Sequence, residues 1–507
     1  MASPEDKGTG GWNEMAYILG IDQSTQGTKA IVFDGEGKLL ARADEAHRQI
    51  ISDRGWVEHD PEEIWENTKR AVKAAVEKAG IDKDAIAGIG ISNQRETSVA
   101  FARDGKPVCN AIVWQCARAS ALCERIRREH PEAEKLVSER TGIRLSPYFP
   151  AAKLAWILEN VPGARSLAKE GALRCGTMDT YLVYRMTEGR VYRTDMTNAS
   201  RTQLFDIRNL TWDADLCRLF GIPKDILPET SDSDGDFGET TLDGFFAHPV
   251  PIRAVLGDSH AALFGQGCLN KGQVKATYGT GSSVMMNIGE TPAVSRHGVV
   301  TSIAFARGGK VFYCLEGNIN YTGAVITWLK DDLGLIQSAG ETGELAESAS
   351  LEDHTYLVPA FTGLGAPWWR DDVRGILTGI SRTTRRAEIV RAALDCIAYQ
   401  ITDVLRAMEE DAGIPIQELR VDGGPTKNRY LMQFQSDIAD LPVLVPPAEE
   451  LSGMGAAYCA GLSLGIYSEE QLFAGTNRKA YRPEMAAAIR EEKLAGWQAA
   501  LEQVLKK

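Results

Sequence analysis

No Cys-x-x-Cys pair occurs among the nine cysteines, and their number is odd. Scattered positions such as Cys109, Cys116, Cys175 and Cys314 fit neither a disulfide framework nor a zinc site, and they suit a reducing cytosol. No apolar run approaches the ~20 residues of a membrane-spanning helix. The start, MASPEDKGTGGWNEM, lacks the apolar core of a secretory signal, and residues 1–13 read as a flexible tail. Basic charge is in deficit: 56 Lys and Arg stand against 69 Asp and Glu, a net charge of −13. No basic field is available to displace counterions, which excludes a general nucleic-acid binder. Neither G-x-x-x-x-G-K-[ST] nor G-x-G-x-x-G is present, so the usual phosphate-loop and dinucleotide signatures are missing. No Pro-rich or Ser-rich linker is visible, so the domains should pack closely. With 44% hydrophobic and 25% charged residues over 507 positions, the composition is that of a globular, multidomain, cytoplasmic protein.

What the chain does have is YILGIDQSTQGTKAIVFD, residues 17–34. An apolar run ends in Asp22; Gln23, Ser24, Thr25, Gln26, Gly27 and Thr28 follow, then Lys29 and a second apolar run. This predicts strand, tight polar turn, strand. Successive N–H groups in such a turn can form an anion-binding concavity, and an acid at the strand end can help hold a hydrated Mg²⁺. An ordinary hairpin is the plainer alternative. A second copy of the theme weighs against it: in KATYGTGSSVMMNIG, Gly279 to Ser283 stand between two apolar runs about 250 residues later. Two such loops facing each other across a cleft would suit a nucleotide held between two related domains.

Other elements fill in the frame. Asp60 caps a predicted helix with Pro61 at its first position and Gly80 as its stop. Residues 39–43 and 86–92 read as strands, Asp104–Gly105 as a hairpin turn, and residues 151–179 as helical. Further helices are expected at 323–333, 386–412 and 429–440. Strands alternating with helices imply an α/β protein, but the first strands are joined by short turns, unlike a Rossmann unit. The domain boundary is placed near residues 265–269, giving domains 14–266 and 267–507.

Three segments put chemistry at strand ends. IGISNQRET places Arg95 and Glu96 after a buried strand, where a donor beside an acceptor can satisfy neighbouring hydroxyls of one polyol; a surface ion pair is the alternative. VLGDSHAALFGQG places Asp258 between an apolar strand and a small-residue helix, either as an N-cap or as a general base for phosphoryl transfer. His260 is a second candidate base. LRVDGGPTKNRYLMQFQ reads as strand, Gly423–Gly424 turn and helix; Gly424 admits a flat ligand and Asn428 can bond a base or ribose. Trp114 and Tyr148 can form an apolar wall, or simply pack in the core.

With these motifs on view, the chain resembles the FGGY carbohydrate kinases, and most closely their glycerol kinase branch. The resemblance runs from residue 17 to about residue 467 and rests on eight ordered blocks: GIDQSTQGTKA, SNQRET, NAIVWQCARA, TGIRLSPYFPAAKLAWIL, GDSHAALFGQG, TYGTGSSVMMN, EGNINYTGAVITWL and RVDGGPTKNRYLMQFQSDI. It implies two actin-like (ribonuclease H-like) ATPase domains around a central cleft, ATP, Mg²⁺, and transfer of the γ-phosphoryl to a primary hydroxyl. By motif it implies Asp258 as catalytic base, Arg95, Glu96 and Tyr148 on the polyol, and Trp114 as aromatic wall. Thr25, Gln26, Gly27 and Lys29 match the first phosphate loop, Asp22 the metal-associated acid, and Gly279 and Thr280 the second loop. Gly323, Gly424 and Asn428 match nucleotide contacts, and Thr327 stands at a further nucleotide-side position.

Three departures bear on the acceptor. Glycerol kinases usually have Gln where Ser259 stands, Phe where Ser283 stands and Gln where Thr327 stands. The first two changes should enlarge the acceptor pocket and make it wetter. Within the kinase expectation, glycerol therefore competes with four- and five-carbon polyols and with pentuloses, although xylulose kinases commonly carry Q-M-H-G where this chain has NQRE. An actin- or chaperone-like ATPase without a small acceptor is the alternative from another class; NQRE, VWQ, SPYF and GDSH count against it, because only an acceptor pocket needs them. The expected partner is a small polyol or sugar, with no nucleic acid and no membrane. A homo-oligomer, dimer or tetramer, is left open.

Overall fold

The computed structural model describes residues 16–447, 449–475 and 477–506. The tail expected at residues 1–13 lies outside the described residues.

Two sheets with one plan organise the chain. In the first, β1 (Tyr17–Gln23) and β2 (Gly27–Phe33) are antiparallel across the turn at 24–26, and β3 (Leu39–Ala46) returns antiparallel beside β2. β4 (Ile86–Asn93) and β5 (Val250–Gly257) add in parallel on the other side of β1. In the second, β6 (Val274–Tyr278) and β7 (Ser282–Gly289) are antiparallel across the turn at 279–281. β8 (Val300–Arg307) forms the edge beside β9 (Lys310–Ile319), which pairs antiparallel with β7. β10 (Leu419–Asp422) and β11 (Val443–Val445) then add in parallel beyond β6. The first sheet thus reads third, second and first strand antiparallel, then two parallel strands; the second has the same plan with one strand more, β8 being added outside β9, which takes the place of the third. This is the duplicated actin-like, ribonuclease H-like plan that the motifs imply.

Helices seal the sheets on both faces. α1 (Pro61–Ala79) starts where Asp60 accepts the Glu62 N–H at 2.9 Å and ends at Gly80 in the left-handed region. Its Ile64, Trp65, Val72 and Val76 join Leu19, Ile21, Ile89 and Ile91 in one buried cluster. Each such side chain contributes about 1.5–3 kcal/mol by leaving water. On the opposite face lies α7 (Leu451–Ser463), from the far end of the chain, against β1, β4 and the helix that follows β5. Glycine permits this approach: a Cβ on Gly90 would stand 2.1 Å from the Ala456 carbonyl oxygen. Residues after 267 therefore complete the core of the first sheet.

Two helical expectations need correction. Residues 151–179 are not continuous helix: α2 (Pro150–Asn160) ends, and Leu173–Thr177 is a strand antiparallel to Ser98–Ala102. Gly163 and Gly171, both at positive φ, interrupt the helix, and Leu173 and Cys175 bury at strand spacing. The 323–333 helix is α4 (Gly323–Thr327) continued as a wider π-turn over Trp328–Asp332. By contrast α5 (Arg386–Ala412) has the expected bounds, and α6 (Arg429–Ala439) stops where Asp440 turns left-handed.

Candidate active site

The helix α3 (Asp258–Gly265) begins directly after β5. Gly257, not Asp258, is its N-cap, so the cap expectation for Asp258 is corrected: it is the first helical residue. Its Oδ1 accepts the N–H of Ser259 at 2.6 Å and lies 3.2 Å from Arg95 Nε, and its side chain is 33% exposed. An acid here is favoured by the helix N-terminus. His260 is fully buried, and its Nε2 is 3.1 Å from Ser302 Oγ. Burial, then the Arg95 charge, lowers its pKa well below the ordinary value, so the ring is neutral.

Around Asp258 the acceptor candidates form one connected cluster. Arg95 gives two parallel hydrogen bonds to Glu316, Nη1 to Oε2 at 3.0 Å and Nη2 to Oε1 at 2.7 Å. Glu96 is buried at a φ of 60° and accepts from Arg201 Nε at 2.6 Å; Arg201 Nη1 lies 2.7 Å from Glu316. Burial alone would raise Glu316, but Arg201 and Arg95 hold it well below the usual carboxylate range. Burial pulls Arg95 down, but Glu316, Glu96 and Asp258 together keep it charged. Ser283 Oγ donates to Glu316 Oε1 at 3.3 Å. Tyr148 stacks at a tilt on Trp114, centroids 5.6 Å apart, and burial with Glu96 nearby raises its phenol. Behind it the buried Lys153 donates to the Tyr148 carbonyl, and burial lowers its ammonium to about 7.

The wall and the first loop touch, since Trp114 Nε1 donates to Thr25 Oγ1 at 2.9 Å. Ser24 closes that turn onto the Gly27 carbonyl through both its N–H and its hydroxyl, at 2.8 and 3.0 Å, leaving Gln26 exposed at the tip. Lys29 pairs with Glu450 at 2.8 Å. Asp22 accepts from Ser92 Oγ at 3.0 Å; burial raises its pKa to about 6 despite Lys29, with Asp258 adding to the rise.

The second loop is stitched to α4: the Gly279 carbonyl accepts from Gly323 N at 2.9 Å and that of Thr280 from Thr322 and Ala324 N. Gly279 and Thr280 themselves stay exposed. Thr327 is exposed and bonds its hydroxyl to the Gly323 carbonyl at 3.3 Å. Gly424 opens a short turn with free space where its Cβ would be. Asn428 is the N-cap of α6: its Oδ1 accepts the Leu431 N–H at 3.1 Å and its Nδ2 donates to Thr342 at 3.0 Å.

The structure brings Asp258, Arg95, Glu96 and Ser283 together through Glu316 and Arg201, joins Tyr148 and Trp114 to the first loop, and joins the second loop to Gly323, while Gly424 and Asn428 stand on a separate turn. Three partners escaped the sequence reading: Glu316, Arg201 and Glu450. Glu316 left a usable signal, being the one charge inside the apolar run of KVFYCLEGNI, whose other charge, Lys310, is at the exposed end. A charge at such a position must be paired.

Comparison with known proteins gives likenesses of sequence and of fold. The model of the FGGY family of carbohydrate kinases, N-terminal domain, matches residues 17–265, and that of the C-terminal domain matches residues 274–464. Glycerol kinase 1 of Thermotoga maritima is 46% identical over 492 residues, 96% of this chain and 99% of the relative. The crystal structure of Plasmodium falciparum glycerol kinase with ADP superposes with a TM-score of 0.90 at 34% identity, covering 97% of this chain and 98% of that one. A ligand-bound xylulose kinase from Lactobacillus acidophilus superposes at 0.85 with 21% identity over 97% of each chain, a likeness of fold.

Proposed function

The chain belongs to the FGGY family of carbohydrate kinases, and from that premise we propose that it phosphorylates a polyol longer than glycerol, held by its terminal diol between Arg95 and Glu96. The family's reaction is ATP-dependent phosphoryl transfer to an alcohol, with Mg²⁺. The observation that carries the acceptor reading is the contact of Arg95 with both Asp258 and Glu316, with Ser283 on the same Glu316 carboxylate. A donor-acceptor pair lies beside a partly exposed carboxylate that can take the proton of the attacking hydroxyl. Tyr148 and Trp114 wall the carbon face of the polyol.

On the nucleotide side, Thr25, Gln26, Gly27, Lys29, Gly279 and Thr280 would receive phosphates, and Gly323, Thr327, Gly424 and Asn428 the nucleoside. Lys29 would share its charge between the phosphates and Glu450. Asp22 fits the Mg²⁺ role: its ionised form is penalised by burial and by Asp258, and a divalent cation would relieve that penalty. Among the described residues no group of three or more His, Cys, Asp or Glu could hold a metal. That suits an ion bound chiefly through water and phosphate oxygens, as Mg²⁺ commonly is. When bound, Mg²⁺ supplies neutralisation of the phosphate charge. The domain division proposed is 14–266 and 267–507, and the compartment the cytoplasm, in keeping with nine free cysteines.

Ser259 and Ser283 leave room where glycerol kinases keep Gln and Phe. An acceptor longer than glycerol would fill that room and bond the serines, whereas glycerol would leave them to water. A site built to bond hydroxyls discriminates against a ligand lacking them. The test is ADP release across glycerol, erythritol, the threitols, xylitol, D-xylulose and L-ribulose. A four- or five-carbon acceptor should show the highest kcat/KM, and Ser259→Gln with Ser283→Phe should move preference toward glycerol by about tenfold or more. Wild type preferring glycerol to every longer acceptor would overturn the enlarged pocket.

A further inference from the structure

We propose that Glu316 is the positioning residue of the acceptor site, reaching in from the second half of the chain to hold Arg95 in line with Asp258. The inference rests on the reading of Arg95 and Glu96 as the acceptor's hydroxyl contacts.

Arg95, Glu96, Arg201 and Glu316 form a closed square of two cations and two anions, with no side chain more than 6% exposed. Three corners belong to residues before 266; Glu316 belongs to β9 of the second sheet. Its two oxygens take both Nη atoms of Arg95, which sets the plane of the guanidinium. The Nε edge is thereby left to Asp258 at 3.2 Å. Through Arg201 the same carboxylate is linked to Glu96, the other half of the diol grip. Without Glu316, Arg95 would keep Asp258 as its nearest exposed carboxylate and would swing onto it, blocking the base and abandoning the diol. The grip on the acceptor is therefore complete only when the two halves are apposed. Glu316 touches no reacting atom; it acts through Arg95.

The experiment compares wild type, Glu316→Gln, Glu316→Asp and Arg95→Lys in the full-length enzyme, reading Tm, ADP affinity by calorimetry, and steady-state kinetics with the best acceptor. Glu316→Asp keeps the charge but shortens the reach, so a residue that only balances charge would be rescued by it. Positioning predicts that Glu316→Asp retains Tm and ADP affinity yet raises acceptor KM and lowers kcat, together by about 10²-fold in kcat/KM, as a misplacement of about 1 Å can. Glu316→Gln should do the same at a lower Tm. If Glu316→Asp restores kinetics along with Tm, if it raises the KM for ATP as much as for the acceptor, or if it does not fold, Glu316 is a stability residue and the proposal falls. Arg95→Lys separates the two readings. If it leaves acceptor KM unchanged, the acceptor assignment itself fails; if it raises that KM while Glu316→Asp does not, only the positioning role is lost.

Discussion

The two halves differ most where they are topologically the same. In each, the strand parallel to the first strand ends at the cleft: β4 at Asn93 and β10 at Asp422. After β4 and Gln94 come Arg95 and Glu96, whose buried side chains close on Glu316, Asp258 and Arg201. After β10 come Gly423 and Gly424, which present bare backbone. The acids are exchanged as well. Asp22 on β1 faces Ser92 on β4 and accepts its hydroxyl, whereas Thr277 on β6 faces Asp422 on β10 and donates to it at 3.1 Å. On the proposed function one duplicated unit would serve two ligands: a small acceptor would be read by charged side chains at fixed points, while a flat base and a ribose would be admitted by taking side chains away.

If the first half carries the chemistry, its base should be the most sensitive position in the molecule. Asp258→Asn keeps the shape and the first-turn N–H contact but removes the proton acceptor. Turnover should fall by at least about 10²-fold, the scale of lost general-base catalysis, with ADP affinity unchanged. Near-normal turnover in a folded Asp258→Asn enzyme would leave the two halves without the proposed division of labour.

The exchanged acids give the next test, and its sign follows from burial. Asp22 has a folded pKa of about 6, above its ordinary 3.8, because burial disfavours the charge. The folded state binds that proton more tightly than the unfolded chain does. The stabilisation is complete below the unfolded value and is lost as pH rises from about 4 to about 6. Two pH units correspond to about 3 kcal/mol. Ligand-free Asp22→Asn should therefore be inactive but more stable than wild type near pH 7.5, by up to that amount, and should lack the slope in Tm between pH 4 and 6. Asp422→Asn should bring no such gain, since it strips the buried Lys275 of its main counter-charge. Equal gains from both would erase the distinction between the two acids.

Much of this layout was legible in the sequence, and the reasons are physical. The strand–turn–strand units and α1 announce themselves through local rules: an acid or glycine at a turn, a cap, an apolar period. Residues 151–179 misled because Leu173 to Thr177 gain their strand character only from pairing with Ser98–Ala102, more than 70 residues away. Asp258 looked like a cap because an acid before a small-residue helix usually is one, and Gly257 took that place instead. Glu316 and Arg201 escaped for a related reason. Their function is to face one another across the halves, and no local spacing records that.

The smallest effects should come from the bare turn, and they distinguish fold from ligand. Gly423 has a φ of 99°, and a Cβ there would stand 2.0 Å from the Tyr278 carbonyl oxygen. Gly423→Ala must strain the backbone or push β6 away. It should cost at least about 1–3 kcal/mol of stability and weaken ADP binding along with it. Gly424 differs: nothing lies within 4 Å of where its Cβ would be, and its φ is ordinary. Gly424→Ala should therefore leave Tm within about 0.5 kcal/mol of wild type, as an exposed substitution without strain does. If the bare backbone exists to let a flat ligand approach, that added methyl meets the nucleotide and nothing else. The expected signature is a modest rise in the ATP KM, with acceptor KM and Tm unmoved, measured by kinetics and thermal unfolding on one preparation. An unchanged ATP KM in Gly424→Ala would mean that the turn is bare for the sake of the fold, and that the contrast with Arg95 and Glu96 is one of packing and not of ligand.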